Sequence, residues 1–443
     1  MPMTDEKLSV VRKIGEAPAP SGPGSEELAV RGGSPIVRAP KPASYFHGPQ
    51  EIGEEEIQAV TAALRSQMLF RFFKEGANSP TAQFERLFAE KTGARYVLAV
   101  NSGTAALICG LVGLGVSSGD EVLVPAYTYI ASAAAVLAVR AIPVIVEIDA
   151  SLGMDPEDAA RKITPRTKAI IPVHMRGVPC RMAEILAVAR ARSLKVLEDC
   201  AQANGGSYRG RPLGTLGDVG AFSMQQAKII TAGEGGVVVT NDPLIFQRAA
   251  CYHDSAYTFW KARDWDIKPF MGENYRMSDL NGALALAQLK KRDRILARLR
   301  AIKRRLLEVV WDLPGITLQD VPDLEGDCGV SLIFFTETAQ RARIFAEALR
   351  AEGMEAGSIF DKAIPDRHIY YHWDYILAKG TPDAYGYPWN DPVRPCQVEY
   401  SRDMCPRAIA WLDRAVVIPL TQTMTDAHVE DCAKAIAKVA RGL

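Results

Sequence analysis

In the stretch AFSMQQAKIITAGEGGVVVT, residues 221–240, an apolar run breaks at Ser223. A single lysine stands at 228, and glycines surround Glu234 before the chain turns apolar again. A lysine at the end of a strand in apolar surroundings has its ammonium form disfavoured, so its amine becomes a nucleophile able to form a Schiff base with an aldehyde. The glycines allow a sharp turn and a close backbone approach to a planar ring. Upstream, VLEDCAQA carries Asp199 directly after an apolar run, where a carboxylate is costly to desolvate unless a cation meets it. A protonated pyridine nitrogen is such a cation; capping of the next helix or pairing with an arginine are the structural alternatives. Gln202 is placed to donate to a phenolate-type oxygen on the same ring. NSGTAAL sets the amides of Gly103 and Thr104 at a helix start, which suits a phosphate, although a serine or threonine there also serves as a plain helix cap. Tyr129, in VPAYTYIA, either lies flat on a ring or belongs to the core. Together these features suit a planar, phosphate-bearing aldehyde that the chain itself does not contain.

Positioning them requires strands. From about Tyr96 the runs YVLAV, EVLVPA, IPVIVEI, KAIIPVH, KVLEDCA and DVGAFSM alternate with segments able to form helices or turns. This pattern predicts a mostly parallel sheet covered by helices on both faces, with ligands gathered at the carboxyl ends of the strands. His174 also falls at such an end, where a structural role is the simpler reading. The charged pattern LKKRDRILARLRAIKRRLLEVV leads away from the sheet and reads as a helical connector with a solvated face. A smaller α/β unit then follows, with GVSLIFF as a strand and DAHVEDCAKAIAKVAR as its closing helix. The first 45 or so residues, with PAPSGPGSEE and APKPAS, predict a loose arm. The expected division is an arm over 1–45, a large domain over 46–295 and a small domain over 296–443.

Composition narrows the chemistry. With 443 residues, 48% hydrophobic, and 52 basic residues against 52 acidic ones, the chain has a large core and no net field for nucleic acid or membrane surfaces. Binding is therefore expected to be local and pocket-like. No apolar run approaches the roughly 20 residues that span a bilayer, and MPMTDEKLSVV lacks the features of a secretory signal, so a cytoplasmic location is expected. The eight cysteines show no metal-site or disulfide spacing, and no metal is expected.

In this order the motifs NSGTAAL, GDEVLVPAYTYIA, EDCAQANG, GDVGAFSMQQAKIITAGEGGVVVTND, GENYRMSDLNGALALAQL and CPRAIAWLDRAVVIPL resemble the DegT/DnrJ/EryC1/StrS family of sugar and cyclitol aminotransferases. These are fold-type I enzymes dependent on pyridoxal 5'-phosphate, and the resemblance covers about residues 45–440. It implies that Lys228 bonds the cofactor aldehyde, Asp199 keeps the ring nitrogen protonated, Tyr129 stacks on the ring and Gln202 contacts the ring oxygen. It implies that Gly103, Thr104 and Ser223 hold the phosphate with Asn274 from a second subunit, in a homodimer with shared active sites. The implied reaction moves an amino group from glutamate or glutamine to a keto-sugar or keto-cyclitol. Dehydratases of the family have histidine at the lysine position, so Lys228 points to transamination.

LAVRGGSPIVR, within residues 28–38, resembles a leader found on family members that aminate cyclitol ketones. VHMRGVP places Arg176 where many nucleotide-sugar enzymes carry an aromatic residue, so Arg176 is either a contact for a substrate carboxylate or part of a surface salt bridge. Two other readings compete. A dinucleotide-binding dehydrogenase is disfavoured because GLVGLG, residues 110–115, falls inside a helix rather than at a strand-to-helix turn. A non-catalytic sensor or scaffold is disfavoured by the intact lysine, aspartate and serine.

Overall fold

Each apolar run that precedes a candidate residue is a strand of one sheet. The computed structural model describes residues 27–73, 79–261 and 265–443. In chain order the first strands are β1 (Tyr96–Val100), β2 (Glu121–Pro125), β3 (Ile142–Val146), β4 (Thr167–Ile170) and β5 (Lys195–Asp199). A short hairpin, β6 (Ser207–Tyr208) and β7 (Arg211–Pro212), separates them from β8 (Val219–Ser223) and β9 (Gly236–Thr240). Seven strands pair in the order β1-β9-β8-β5-β4-β2-β3. Only β9 runs against the rest, because it pairs antiparallel with both β1 and β8. Strands β2, β3, β8 and β9 are buried along their whole length, as expected of a sheet covered on both faces.

The reversed strand shapes the site. Gly236 lies opposite Val100 on one side and Ser223 on the other, so the ends of β1 and β8 meet at the start of β9. A Cβ on Gly236 would stand 2.1 Å from the carbonyl oxygen of Ser102, a contact that only glycine permits. The helix Gly103–Gly113 starts from that point and is buried along most of its length. Its Gly110 packs against Leu197 and Val219, so part of GLVGLG is a helix-to-sheet contact surface.

The helix Asp279–Val310 runs unbroken through residue 295, where the sequence pattern divides the two domains. Its basic residues are only in part the solvated face expected of them: Lys290 and Arg294 are exposed. Arg292 and Lys303 are buried, Lys303 pairs with Asp327, and Arg305 pairs with Glu430 on the closing helix Asp426–Gly442. The charges face neighbouring elements on several sides, which helical periodicity alone does not reveal. Beyond it a second sheet orders β10 (Thr317–Leu318), β11 (Ser331–Phe335), β13 (Ala415–Pro419) and β12 (Gly357–Ser358), all antiparallel.

The loose arm expected over residues 1–45 is docked from Leu28 onward, while residues 1–26 lie outside the described residues. Leu28 and Val37 are buried, and the Ala29 and Ile36 amides donate to the two carboxylate oxygens of Glu352 at 2.9 and 3.0 Å. Glu352 also pairs with Lys438 at 2.9 Å, with both side chains almost fully enclosed. Two apolar anchors and one buried carboxylate hold a segment whose composition alone predicts no fold.

Candidate active site

Burial and hydrogen bonding define the acid first. Asp199 ends β5 and is 4% exposed. Its Oδ2 accepts from Ser132 Oγ at 2.8 Å, and its Oδ1 from the amide of Ala201 at 3.0 Å. Ser132 is oriented in turn by Thr128, with the two hydroxyl oxygens 2.7 Å apart. Among the described residues Asp199 has no ion-pair partner, so neither arginine pairing nor a full helix cap accounts for it. Burial raises its pKa above the usual carboxylate value, against the hydrogen bonds from Ala201 and Ser132 and the charge of Lys228.

Lys228 follows β8 in the turn that leads to β9. Burial lowers its pKa below 10.5, opposed by the charges of Asp199 and Glu234. Its ammonium group makes no hydrogen bond or ion pair among the described residues, so the amine stands free beside an acid that lacks a cation. The Lys228 carbonyl accepts from the amide of Gly48 at 3.0 Å, which pins the backbone of this turn from the N-terminal side.

Ser102 caps the helix Gly103–Gly113 by accepting from the Ala105 amide at 3.0 Å, so the helix-cap reading holds at Ser102. That leaves the Gly103 and Thr104 amides at the positive end of the helix, beside Ser223. A Cβ on Gly103 would lie 2.6 Å from Ser223 Cβ and 3.0 Å from its Oγ. Strand end, helix start and hydroxyl thus meet at one corner suited to an anion.

Gln202 turns its Oε1 to the Arg176 amide at 3.0 Å, which leaves its NH2 group as the donor. Tyr129 is 41% exposed, with its ring 5.3 Å from that of His368. Asn274 is exposed beside Asn101, whose Nδ2 reaches the Asn274 carbonyl at 3.5 Å. His174 is fully buried: its Nδ1 accepts from the Cys180 amide at 3.0 Å, and Nε2 lies 3.2 Å from Glu198 Oε2. Those two bonds favour a neutral ring with its proton on Nε2. His174, Glu198 and Cys200 group their ligand atoms within 4.8 Å. The Glu198 oxygens, however, already accept from the amides of Gly214, Leu216 and Gly217, so this knot braces the loop before β8.

Residues 50–385 match the model of the DegT/DnrJ/EryC1/StrS aminotransferase family. The chain belongs to that family. GDP-perosamine synthase of Escherichia coli O157:H7 is 42% identical over 221 residues, half of this chain and 60% of that relative. The chain therefore spans less than two thirds of that relative's length. L-glutamine:2-deoxy-scyllo-inosose aminotransferase of Streptomyces kanamyceticus is 32% identical over 77% of this chain and 84% of its own length. The structure of an aminotransferase from Psychrobacter cryohalolentis superposes with a TM-score of 0.70 at 27% identity, covering 87% of this chain and 96% of that one. The fold is that of the fold-type I transaminases, as the motifs imply.

Within this family member, Arg176 is not the surface salt bridge that the sequence allows it. It is partly buried, its backbone is left-handed at φ 52°, and its Nε donates to Tyr127 Oη at 2.8 Å rather than to a surface carboxylate. Two contributors had no local signal. Ser132 orients Asp199 across a separation of 67 residues, and Gly48 holds the lysine turn from a segment far upstream. Among the described residues no helix is long and apolar enough to cross a membrane.

Proposed function

We propose that the protein is a pyridoxal 5'-phosphate-dependent aminotransferase that moves an amino group from glutamate or glutamine to a keto-sugar or keto-cyclitol. The observation that carries this reading is the pairing of a buried, cation-free Asp199 with an unpartnered Lys228 whose pKa burial lowers. The residues fit the cofactor: an acid that needs a cationic nitrogen, a free amine, and a glycine-lined corner with a hydroxyl for a phosphate. When bound, the cofactor supplies an aldehyde carbon for the travelling amino group and a cationic ring that takes up electron density.

The chain's own groups do the rest. Gly103 and Thr104 offer amides and Ser223 a hydroxyl to the phosphate, and Gln202 offers its NH2 to the ring oxygen. Asp199, held by Ser132 and the Ala201 amide, keeps a proton on the ring nitrogen, and Tyr129 covers one ring face. Lys228 Nζ, once displaced by the incoming amine, would take the proton from the substrate Cα and deliver it to the carbon on the far side of the amino nitrogen. An amine whose pKa burial lowers gives up its proton more readily than an exposed lysine, which suits that shuttle.

The functional unit in this reading is a homodimer, with Asn274 from a second copy of the chain completing the phosphate corner. An exposed aromatic surface supports it: Phe70 packs edge-on against Phe72, Phe73 and Trp260, while Phe73 is 62% and Phe259 75% exposed. Borohydride reduction of the yellow protein followed by peptide mass spectrometry tests the assignment. Labelling at Lys228, lost in Lys228→Ala, supports it; labelling elsewhere overturns it.

A further inference from the structure

Arg176 sits in the candidate site with most of its hydrogen-bonding capacity unused. The guanidinium offers five N–H groups, of which only Nε has a partner, the Tyr127 hydroxyl. The remaining groups make no hydrogen bond or ion pair among the described residues. Asp366 is near enough for its charge to register at Arg176, but its Oδ1 is taken by the His368 amide and Nδ1, both at 2.8 Å. Tyr127 itself is fully buried, and burial keeps its phenol protonated, so it receives the arginine as a neutral acceptor.

The placement is built by the main chain. Arg176 adopts a left-handed conformation that a residue with a Cβ holds only when its surroundings impose it. Its amide donates to Gln202 Oε1, three positions after Asp199, and the preceding His174 amide donates to the Asp199 carbonyl at 3.0 Å. From the other side, Tyr127 bridges to Ile369, and the Thr128 amide donates to the His368 carbonyl at 2.8 Å. The guanidinium is thereby fixed between the ends of β2 and β5, on the side of the site that carries Gln202 and Tyr129. A half-desolvated, forked cation with free N–H groups recognises a planar anion by paired hydrogen bonds.

We propose that Arg176 receives a carboxylate of the amino donor, an inference that rests on the aminotransferase reading of the same site. It is a positioning group for the donor and takes no part in the proton transfer at Lys228.

The test is calorimetric titration of the cofactor-loaded protein with glutarate, a dicarboxylate that lacks the reacting amine, and in parallel with glucose 6-phosphate. Arg176→Lys and Arg176→Met both lose the Nε bond to Tyr127, so they share any local folding cost and differ in charge. The expected order of glutarate affinity is Arg, then Lys, then Met, with roughly a 10- to 100-fold loss from Arg to Met. Steady-state kinetics should show kcat/KM for glutamate or glutamine falling more than kcat/KM for the keto acceptor. Equal glutarate affinity in the Lys and Met variants overturns the inference, as does a loss confined to glucose 6-phosphate, which would make the anion a substrate phosphate. Since the titration does not involve Schiff-base chemistry, trapping at Lys228 with no charge effect on glutarate sinks this inference alone.

Discussion

Alanine at Gly103 should close the corner proposed for the phosphate. An added Cβ stands 2.6 Å from Ser223 Cβ and 3.0 Å from its Oγ, whereas non-bonded carbons settle at about 3.5–4.0 Å. Ser223 is buried at a strand end and cannot swing away, so Gly103→Ala should destabilise the cofactor-free protein by about 1–3 kcal/mol, the usual range for overpacking. Ser223→Gly removes both offending atoms and leaves only the Ser223 Cα, 3.3 Å from the new methyl. In the double variant at least about 1 kcal/mol of the cost should therefore return, a coupling that urea unfolding of the four proteins measures directly. Cofactor affinity, followed by visible absorbance, should not return with it. The double variant still lacks the Ser223 hydroxyl, and losing a hydrogen bond to a charged group weakens binding by roughly 10- to 100-fold. Strictly additive stabilities refute the close contact, and full recovery of affinity refutes the role of the hydroxyl.

Three further outcomes follow from the same geometry. Asp199→Asn keeps the shape that Ser132 and Ala201 hold but not the charge, so Lys228 should still be trapped by borohydride while turnover falls roughly 10²- to 10³-fold. Retained turnover would remove the acid from the mechanism. Lys228 is less basic folded than unfolded, so between its lowered value and 10.5 the unfolded chain binds the extra proton, and the stability of the cofactor-free protein should rise with pH across that window. Lys228→Met should flatten this rise in pH-dependent unfolding, and an unchanged slope assigns it to another group. Glu352→Gln breaks the enclosed pair with Lys438 and weakens the acceptor for two amides, costing about 3–5 kcal/mol. Hydrogen exchange should then accelerate at Ala29 and Ile36; continued protection there means that the apolar anchors Leu28 and Val37 suffice.

The sequence by itself determined the strands and singled out the candidate reacting groups. β-branched runs long enough for a strand and too short for most helices announce a buried parallel sheet, and all six predicted runs form strands of it. Polar residues directly after such runs must lie at the carboxyl edge, because a parallel sheet brings those ends to one side. That rule made Asp199, Ser223 and Lys228 legible without any tertiary information. The family motifs added the order in which they occur. Tertiary structure decided how these groups are held. The reversal of β9, the Ser132 bond to Asp199, the Gly48 amide on Lys228 and the docking of residues 27–45 on Glu352 all join segments far apart in the chain. Arg176 shows the reason most plainly. An arginine in a short loop carries the same local pattern whether it meets water or a buried phenol, and only the approach of β2 and residues 366–370 from elsewhere in the chain makes it part of the site.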